Sequence, residues 1–410
     1  MFFFYQIFIS IIILLSPIII FFRLIKGKED KIRFLEKFCI RKSELKKGKT
    51  IWFHAASVGE VMSIIVLLRY YEKRKDIENI LVTTTTVSSA KIVKKLKFKK
   101  LIHQFYPIDY SLICKKFLDY WDPKIAIFLE SEFWPAMFVQ LKKKNIPLIS
   151  LNTRITPKSF NRWIIIKSFA KKIFSLIKFA YPQNIETKNF LKKLNKKNFK
   201  EIGNLKYIND KNERSNFINK TIFKKFNKYK IWVAASTHDG EEYLAAKAHI
   251  LLKKKYHNLL TIIIPRYIDN INKIKKKLSV LDLKIITHSS KQHDLKNIDI
   301  YIVDTFGESK NFYKIAPSVF LGKSIYNKGG QNPLEPAKYA CNVLHGPNIE
   351  NFKDVYKYLN KLKISKKVNS LDDLVSNIKF RKNYINSKKL KRLGANIYKQ
   401  TIKELNTYLN

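Results

Sequence analysis

Two loops in the first half of the sequence carry carboxylates that could do chemistry. The first, HAASVGE (residues 54–60), follows a short apolar run and ends on Glu60. A carboxylate in such a place can take the proton of a substrate hydroxyl. Ser57 and Gly59 are small enough to let a substrate reach the backbone, and a glycine at position 59 permits an unusual dihedral angle. Glu60 is therefore a candidate catalytic residue; the alternative is a plain cap that stabilises a helix start.

The second loop, ESEFWP (residues 130–135), places Glu130 and Glu132 two positions apart. At strand spacing the two carboxylates point the same way, so their repulsion and partial burial should raise the pKa of one of them. The segment NTR (residues 152–154) ends another apolar run with groups suited to a sugar or a phosphate. Alternatively, it starts a helix, and Arg154 pairs with one of the acids.

The second half of the sequence offers hydroxyl groups and a cation in equivalent places. Ser236 and Thr237 open the turn STHDGEE (residues 236–242), which could hold a phosphate, although a capping box is an adequate structural explanation. Pro265 and Arg266 close an apolar run, so that a guanidinium would stand at the ligand edge of a sheet.

Two further loops lead into helices, DTFGE (residues 304–308) and GGQNPLEP (residues 329–336). In the second loop, paired glycines precede a helix whose free N–H groups can bind an anion. Glu335 could accept two hydrogen bonds from a ribose diol. Each loop alone is a weak signal, but their order along equivalent strands is hard to attribute to packing.

The elements that must position these loops are short apolar runs separated by longer amphipathic stretches. Such runs predict strands buried on both faces, hence parallel sheets with helices between the strands. The predicted strands are 50–56, 80–84, 102–106, 125–129, 148–151, 179–181, 231–235, 260–264, 284–287, 300–303, 318–321 and 343–344.

This alternation predicts an α/β protein with two doubly wound, Rossmann-like lobes facing a cleft, because ligands of open α/β sheets bind beyond the carboxyl ends of the strands. The stretch 191–230 is rich in Lys and Asn and is interpreted as surface helix and linker. The predicted division is a membrane anchor at 1–22, a first domain at 23–205 and a second at 206–410. The tail from residue 353 is expected to be helical and to cross back onto the first lobe.

The first 22 residues form an uncharged apolar run that is followed at once by cations, beginning with Arg23 and Lys26. About 20 apolar residues can cross a bilayer, and the cations place the following side in the cytoplasm. A cleaved signal peptide is disfavoured because there is neither a basic leading region nor a small-residue cleavage site. Pro17 leaves a second alternative, a kinked helix that lies partly in the interface.

The composition adds a strong positive charge, with 80 Lys and Arg against 32 Asp and Glu, a formal net charge of +48. Such a charge should attract polyanions, among them anionic lipid headgroups and phosphorylated substrates. A general bias toward Lys, Asn and Ile explains the excess equally well. Cys39, Cys114 and Cys341 have no metal-type spacing, which favours a reducing compartment without disulfides.

Taken together, the segments resemble those of the bacterial 3-deoxy-D-manno-octulosonic acid (Kdo) transferases, a family of two-lobed glycosyltransferases of the GT-B type. The resemblance runs from the anchor to about residue 352. It rests on IWFHAASVGE, ESEFWP, LNTRIT, GNLK, ASTHDGEE, PR, DTFGE and GGQNPLEPA, in the family's order.

The resemblance implies an inverting transfer of Kdo from cytidine monophosphate-Kdo (CMP-Kdo) to the lipid A precursor, at the cytoplasmic face of a bacterial inner membrane. It matches Glu60 to the general base, Glu130 to a supporting acid and Lys206 to a transition-state cation. Departing cytidine monophosphate is a stable anion, so no general acid is expected. No aspartate pair in the sequence suits a divalent ion, so a mechanism without a metal ion is predicted. The nucleotide contacts of the family match Pro265, Arg266, Phe306, Gly307, Glu308, Asn332, Pro333, Leu334 and Glu335.

The sequence departs from the family in the donor segments, where Tyr267 and Gln331 replace histidines and Val303 and Lys323 replace glycines. These changes put local detail of the donor site in doubt. Two other functions stay open: a two-lobed glycosyltransferase that uses another sugar nucleotide, and a basic protein that binds nucleic acid or anionic membrane. The last is disfavoured because the sequence has no RNA-binding aromatic motif and no DNA-binding helix pair.

Overall fold

The computed structural model describes residues 1–40, 43–194, 196–209, 224–290 and 294–409. The chain divides into two compact units, one of Met1–Asp210 with Gly394–Asn410 and one of Lys211–Leu393. The division lies close to residues 205 and 206, and the last residues belong to the first unit. Much of the predicted linker, residues 210–223, lies outside the described residues.

The first unit contains a parallel sheet of six strands within its described residues, in the order β3-β2-β1-β4-β5-β6. All residues of β1, β2, β4 and β5 are buried, which is why they are apolar runs in the sequence. The strands are β1 (Thr50–His54), β2 (Asn79–Thr84), β3 (Leu101–Phe105), β4 (Ile125–Leu129), β5 (Leu148–Thr153) and β6 (Phe179–Pro182).

Helices connect these strands, and several of them begin where the sequence supplies a capping oxygen. Ser57, Thr86, Thr156 and Asn184 each accept a hydrogen bond from the backbone N–H three residues later. The helices are α1 (Phe2–Ile25), α2 (Val58–Glu72), α3 (Val87–Lys95), α4 (Ser111–Trp121), α5 (Pro135–Lys143), α6 (Pro157–Ile165), α7 (Lys167–Ser175) and α8 (Ile185–Lys193).

The second unit contains a parallel sheet of seven strands, counted over its described part, in the order β13-β12-β11-β7-β8-β10-β9. Its first strand, β7, lies between β8 and β11, so the strand order reverses beside it. The strands are β7 (Lys230–Thr237), β8 (Leu259–Pro265), β9 (Ile285–Thr287), β10 (Ile300–Ile302), β11 (Ser318–Leu321), β12 (Asn342–His345) and β13 (Ser365–Lys367).

The helices of the second unit follow the same alternation up to the tail. The tail has one feature that the sequence does not predict, the edge strand β13. The last helix, α15, ends on the first unit, where Tyr181 donates to Glu404 and Arg74 donates to Asn406. The helices are α9 (Glu241–Lys253), α10 (Ile271–Leu278), α11 (Ser309–Ile315), α12 (Leu334–Lys338), α13 (Lys353–Lys361), α14 (Leu371–Asn377) and α15 (Tyr384–Asn406).

A cluster of aromatic rings fixes the two strands that carry the acidic loops. The ring of Trp52 on β1 lies 4.9 Å from that of Phe117 and 5.1 Å from that of Phe128 on β4, measured between centroids. All three side chains are buried. Burying a phenylalanine stabilises the fold by roughly 1.5–3 kcal/mol. This packing therefore holds the carboxyl ends of β1 and β4 side by side.

The helix α1 is long and apolar enough to cross a membrane, judged by its length and composition alone. Its 24 residues include Pro17 and remain helical throughout, so the kink expected from that proline does not interrupt the hydrogen-bonded helix. The predicted α/β class with two Rossmann-like sheets is confirmed, as is the presence of an apolar helix at the start of the chain.

Candidate active site

The acidic loops of the first unit meet where its strand order reverses. Strands β2 and β4 flank β1 on opposite sides, and β5 follows β4. In open parallel sheets this reversal opens a crevice at the carboxyl ends of the strands, which is where ligands bind. The loops that begin at Ala55, Glu130 and Arg154 all leave the sheet at that edge.

Glu60 lies in the first turn of α2 and is held by the loop that precedes the helix. Its Oε2 accepts the Ala56 N–H at 2.8 Å, and its Oε1 accepts the Ser57 hydroxyl at 2.9 Å. The Ser57 Oγ in turn accepts the Glu60 N–H at 3.3 Å. The residue is 9% exposed. Ser57 therefore caps the helix, whereas Glu60 lies in the first turn, where a carboxylate favours the helix dipole, and is oriented by two donors.

The electrostatic surroundings of Glu60 favour its protonated form more than capping alone would. Burial and the negative charges of Glu132 and Glu130 raise its pKa to about 7, although the hydrogen bonds from Ser57 and Ala56 act in the opposite direction. A carboxylate with this pKa is part-ionised at neutral pH and is a much stronger base than an ordinary glutamate.

Gly59 does not use the conformational freedom that a glycine permits. It lies inside α2, which begins at Val58, and its φ is not in the left-handed region. A Cβ at this position would come no closer than 4.0 Å to the Ser57 Oγ. The residue is exposed, so what glycine provides here is open space above the loop.

Glu132 is fixed by two aromatic donors. Its Oε2 lies 3.1 Å from the Nε2 of the fully buried His54 and accepts the Trp134 Nε1–H at 2.8 Å. An ionised carboxylate only accepts, so the His54 Nε2 donates to Glu132, and the His54 Nδ1 lies 2.9 Å from the Thr83 hydroxyl.

Although burial acts to raise it, the contacts with His54 and Trp134 hold the pKa of Glu132 below its ordinary value. The expectation that repulsion between the two acids of this loop raises the pKa of one of them is therefore wrong for Glu132. The negative charge that His54 and Trp134 stabilise on Glu132 instead acts on Glu60, where it raises the pKa.

Glu130 is paired with a cation. The Lys206 Nζ lies 2.7 Å from its Oε1, and the Asn152 Nδ2 lies 3.4 Å from the same oxygen. Asn152 also accepts the Leu205 N–H at 3.0 Å, which ties the lysine-bearing turn to the end of β5. Arg154 does not pair with either acid: among the described residues its guanidinium has no hydrogen bond or ion pair.

Backbone geometry marks the same place. Glu130 and Asn152 have φ angles of 49° and 53°, in the left-handed region. An asparagine tolerates this region, whereas for a glutamate it costs roughly 1–2 kcal/mol. The Glu130 N–H bonds to Leu151 O at 3.1 Å, and the Arg154 N–H bonds to Glu130 O at 3.1 Å. Strain that is held in place by such bonds is typical of functional sites.

In the second unit, the turn after β7 is organised around a buried carboxylate, Glu241. Its two oxygens accept the backbone N–H groups of His238, Lys323, Ser324 and Ile325 at 2.7–3.2 Å. Gly322 is required beside it, since a Cβ there would lie 2.5 Å from both the Glu241 Oε2 and the Ser236 O. The capping box that was an alternative for this turn is absent, because the first helical residue follows Gly240 without a side-chain cap.

Ser236 and Thr237 stand at the end of β7, where Ser236 has a φ of 53° and Thr237 is buried. A cavity of about 180 Å³ opens beside them. Lys277 and Lys273 pair with Asp239 at its rim. The residues that line it include Thr237, His238, Glu242, Pro265, Tyr267 and Lys277.

The remaining predicted donor residues follow β8, β10 and β11 at the same edge of the sheet. Arg266 is exposed directly after Pro265, and its N–H bonds to Thr237 O at 3.0 Å. Phe306 is 78% exposed. A Cβ added to the neighbouring Gly307 would have no heavy atom within 4 Å, so the space beside it is open. Glu308 lies 2.7 Å from the Nε2 of His288, a contact that the sequence did not predict.

The last loop that the sequence analysis matched to the donor leads into a short helix of five residues, α12. Pro333 and Leu334 are buried and anchor it, whereas Asn332 and Glu335 are exposed. The Asn332 Oδ1 accepts the Leu334 N–H at 3.1 Å. Exposed polar side chains beside buried anchoring residues can contact a ligand without rearranging the fold.

No three His, Cys, Asp or Glu side chains are arranged to hold a metal ion in the part of the chain that the structure describes. The sequence alone did not reveal the His54–Glu132 and Glu130–Lys206 contacts, which join residues far apart in the chain. A signal for the first was available: His54 ends one buried strand and Glu132 follows another.

Comparison with known proteins gives a consistent result. The sequence profile of the family described as 3-deoxy-D-manno-octulosonic-acid transferase (kdotransferase) matches residues 32–209. The 3-deoxy-D-manno-octulosonic acid transferase of Rickettsia bellii (strain RML369-C) is 33% identical over 393 residues, which are 94% of this chain and 93% of the relative. That of Haemophilus influenzae is 31% identical over 328 residues, 79% of this chain and 76% of the relative.

Solved structures agree on the fold. The chain is similar to a UDP-GlcNAc 2-epimerase from Neisseria meningitidis bound to UDP-GlcNAc, with a TM-score of 0.58 and 11% identity over 87% of this chain and all of that one. It is also similar to a glycosyltransferase from Rickettsia africae, with a TM-score of 0.53 and 11% identity over 89% of this chain and all of that one.

Proposed function

The chain belongs to the 3-deoxy-D-manno-octulosonic acid transferase family and is a glycosyltransferase; from this premise we propose that it moves Kdo from CMP-Kdo to the lipid A precursor at the cytoplasmic face of a bacterial inner membrane. The observation that carries the proposal is Glu60, a nearly buried glutamate with a pKa of about 7 at the ligand edge of the first sheet.

In the proposed reaction, Glu60 acts as the general base. A sugar hydroxyl is a weak nucleophile, so its proton must leave as its oxygen bonds to the anomeric carbon of Kdo. The Glu60 carboxylate accepts that proton. Its donors, Ala56 and Ser57, orient the carboxylate, and both oxygens keep lone-pair capacity for a further proton.

The bond that breaks joins the anomeric carbon to a phosphate oxygen, which keeps the electron pair. Cytidine monophosphate thus departs as a stable anion and needs no proton from a general acid. Cations should stabilise the growing phosphate charge, a role we assign to Lys206 and Arg266. Glu130 would support Lys206, since the 2.7 Å pair holds the ammonium group in place. Attack opposite the leaving group inverts the anomeric centre.

The loops of the second unit would bind the donor. Phe306 and Gly307 offer an exposed aromatic face and open space for a base, and Glu335 and Asn332 offer exposed hydrogen-bonding groups for a ribose. Because α12 is only five residues long, its side chains rather than its dipole should make the contact. The remaining contacts of this proposed donor site are Pro265, Arg266, Glu308, Pro333 and Leu334.

The acceptor would meet the loop of Ser57 and Gly59, which is exposed. The unpaired guanidinium of Arg154 is suited to one of its phosphates, and Ser236 and Thr237 are suited to the phosphate of the donor. The apolar helix α1 and the cations that follow it would bind anionic inner-membrane lipid, which concentrates the enzyme where its acceptor is found. No nucleic acid partner is proposed.

We further propose that the transfer needs no metal ion, because cations of the chain suffice for the leaving phosphate. The test is transfer by metal-depleted protein with and without EDTA. Equal rates are expected. Loss of activity on addition of EDTA, with recovery on addition of Mg²⁺, would contradict this part of the proposal.

The decisive test is transfer from CMP-Kdo to the tetraacylated lipid A precursor by the purified full chain, with sugars counted by mass spectrometry. We expect product masses that increase by whole Kdo residues, and binding of cytidine monophosphate in preference to uridine monophosphate. Transfer from a uridine-activated sugar together with tighter uridine monophosphate binding would favour a different two-lobed glycosyltransferase.

A further inference from the structure

The helix α1 has one side that is less exposed than the rest along its whole length. The less exposed side chains recur every three or four residues, as one face of a helix does. The few polar side chains of the helix are concentrated on this face, including Tyr5, Gln6, Ser16 and Arg23. The complete face consists of Phe2, Tyr5, Gln6, Ile9, Ile12, Ile13, Ser16, Ile20, Arg23 and Leu24.

The first turn of α1 is fastened to the folded part of the first unit. The Tyr5 hydroxyl donates to the Asp109 Oδ2 at 2.6 Å, and the Gln6 Oε1 accepts the Ser111 N–H at 2.9 Å. Asp109 is only 3% exposed and also accepts the N–H groups of Ala136 and Met137 at the start of α5. The Tyr5 ring lies 6.4 Å from that of Phe169.

The last turn of α1 returns to the same unit. The Arg23 Nε lies 2.9 Å from Glu29, whose other partner is the Lys37 Nζ at 2.7 Å. The Lys37 carbonyl accepts the N–H of Ile108 at 2.9 Å, one residue before the aspartate that binds Tyr5. Both ends of the helix are therefore tied to one folded unit.

The opposite side of α1 is apolar and uncovered. Its large side chains are 43–79% exposed, and they form a continuous face of the helix. Lys26, Lys28 and Lys31 are exposed directly after it and are suited to anionic headgroups. The uncovered side chains are Phe3, Phe4, Ile7, Phe8, Ile11, Leu14, Leu15, Ile18, Ile19, Phe21, Phe22 and Ile25.

A helix of this length, about 36 Å, could cross a hydrocarbon core of about 30 Å. If it did, Tyr5 and Arg23 would lie on opposite sides of the bilayer, and Tyr5 could not reach a carboxylate buried in the folded unit. We propose that α1 lies in the plane of the membrane interface, with its polar face on the first unit and its apolar face in anionic lipid, and does not span the bilayer. This inference rests on the membrane association in the proposed function.

The test measures the depth of three probes on the full chain bound to vesicles of phosphatidylethanolamine and phosphatidylglycerol. Residues 4, 15 and 22 lie within about 20° of one another around the helix, at 100° per residue. A fluorophore is attached in turn to the Phe4→Cys, Leu15→Cys and Phe22→Cys variants. The three native cysteines are buried and should not react in the folded protein. Quenching by lipids that carry spin labels at known depths reports where each probe lies.

An in-plane helix is expected to give the same shallow depth for all three probes. A Leu15→Cys probe at the bilayer centre, with the other two near opposite surfaces, would overturn the inference and leave the proposed transfer from CMP-Kdo untouched. Failure of the chain to bind the vesicles would instead remove the membrane association itself, and the inference with it.

A second measurement tests whether the contact with Asp109 holds the helix. Tyr5→Phe removes only the hydroxyl that donates to Asp109, and the Phe4→Cys probe should then move deeper. Tyr229→Phe is the matched control, since the Tyr229 hydroxyl donates to Leu295 O at 2.6 Å in the second unit. It should leave the probe depth unchanged. An unchanged depth in both variants would contradict the role of Asp109.

Discussion

Glu60 and Glu241 stand at corresponding junctions of the two units, where the first strand of each sheet leads into a helix. Glu241 has four backbone N–H donors around its two oxygens and is fully buried. Glu60 has two donors and faces the charges of Glu132 and Glu130. The same residue type is thus a structural tie in one unit and, in the proposed reaction, the base in the other.

The comparison teaches that the neighbours of a carboxylate, and not its place in the fold, decide its chemistry. Four backbone donors around the two oxygens of Glu241 fix that carboxylate to the loops that surround it. Nearby carboxylates and burial disfavour the charge, so the group binds a proton more tightly. The contrast can be tested by changing each glutamate, and its surroundings, separately.

The largest effect is expected from Glu60→Gln. Without the proton acceptor, kcat for transfer should fall on the order of 10²–10⁴-fold, while cytidine monophosphate binding is unchanged. Transfer rates and nucleotide titration measure the two effects. If the variant keeps most of its activity, Glu60 is not the base.

Lys206→Gln should come next, because it removes the cation that Glu130 positions. A fall in kcat on the order of 10²–10³-fold is expected if this ammonium stabilises the leaving phosphate. Lys200→Gln is the matched control, since Lys200 pairs with Glu404 at 2.6 Å on the same unit. Equal small effects of the two substitutions would mean that Lys206 only pairs with Glu130.

Glu241→Gln should act on stability. The amide NH₂ of glutamine would face backbone N–H donors, which leaves buried groups unpaired and costs about 2–4 kcal/mol. Hydrogen exchange should become faster in α9 and in residues 322–325, with the donor site weakened as a consequence. Unchanged exchange together with a lost catalytic rate would reverse the assignment of the two glutamates.

A smaller effect concerns the pH dependence of stability. The folded pKa of Glu60, about 7, lies above its ordinary value of 4.5. Between these two pH values the folded state therefore binds more protons than the unfolded state. The unfolding free energy of the protein consequently falls as pH rises from 4.5 to about 7 and beyond. Compared with the wild type, Glu60→Gln should therefore gain about 1–3 kcal/mol in unfolding free energy between pH 5 and pH 8. Urea unfolding at both values, followed by tryptophan fluorescence, measures it. A constant difference would mean that Glu60 has an ordinary pKa.

The parts of this protein that the sequence predicts are those in which local pattern and burial coincide. All twelve predicted strands exist, because strands buried on both faces are unbroken apolar runs. The strand β13 was missed because it is an edge strand of Ser365–Lys367 whose lysines are exposed. Its pattern has no apolar run to detect.

The candidate site divides in the same way. Glu60 and Glu130 could be proposed because each follows a buried strand. The raised pKa of Glu60 could not be predicted, because it depends on Glu132 and on the contact of Glu132 with His54. These residues lie some 70 positions apart in the chain and meet only because β1 and β4 are adjacent. Likewise, the sequence suggested Arg154 as the partner of an acid, and the fold supplies Lys206.

The most direct test of the poised glutamate is the pH dependence of kcat/KM for transfer by the wild type, Glu132→Gln and Asp299→Asn. Asp299 pairs with His249 in the second unit much as Glu132 pairs with His54, and serves as the control. The wild type and Asp299→Asn should gain activity as pH rises through about 7, and Glu132→Gln should do so at a lower pH, because one of the charges that raises the pKa of Glu60 is gone. An inflection at the same pH in all three proteins would contradict the claim that Glu132 tunes the base.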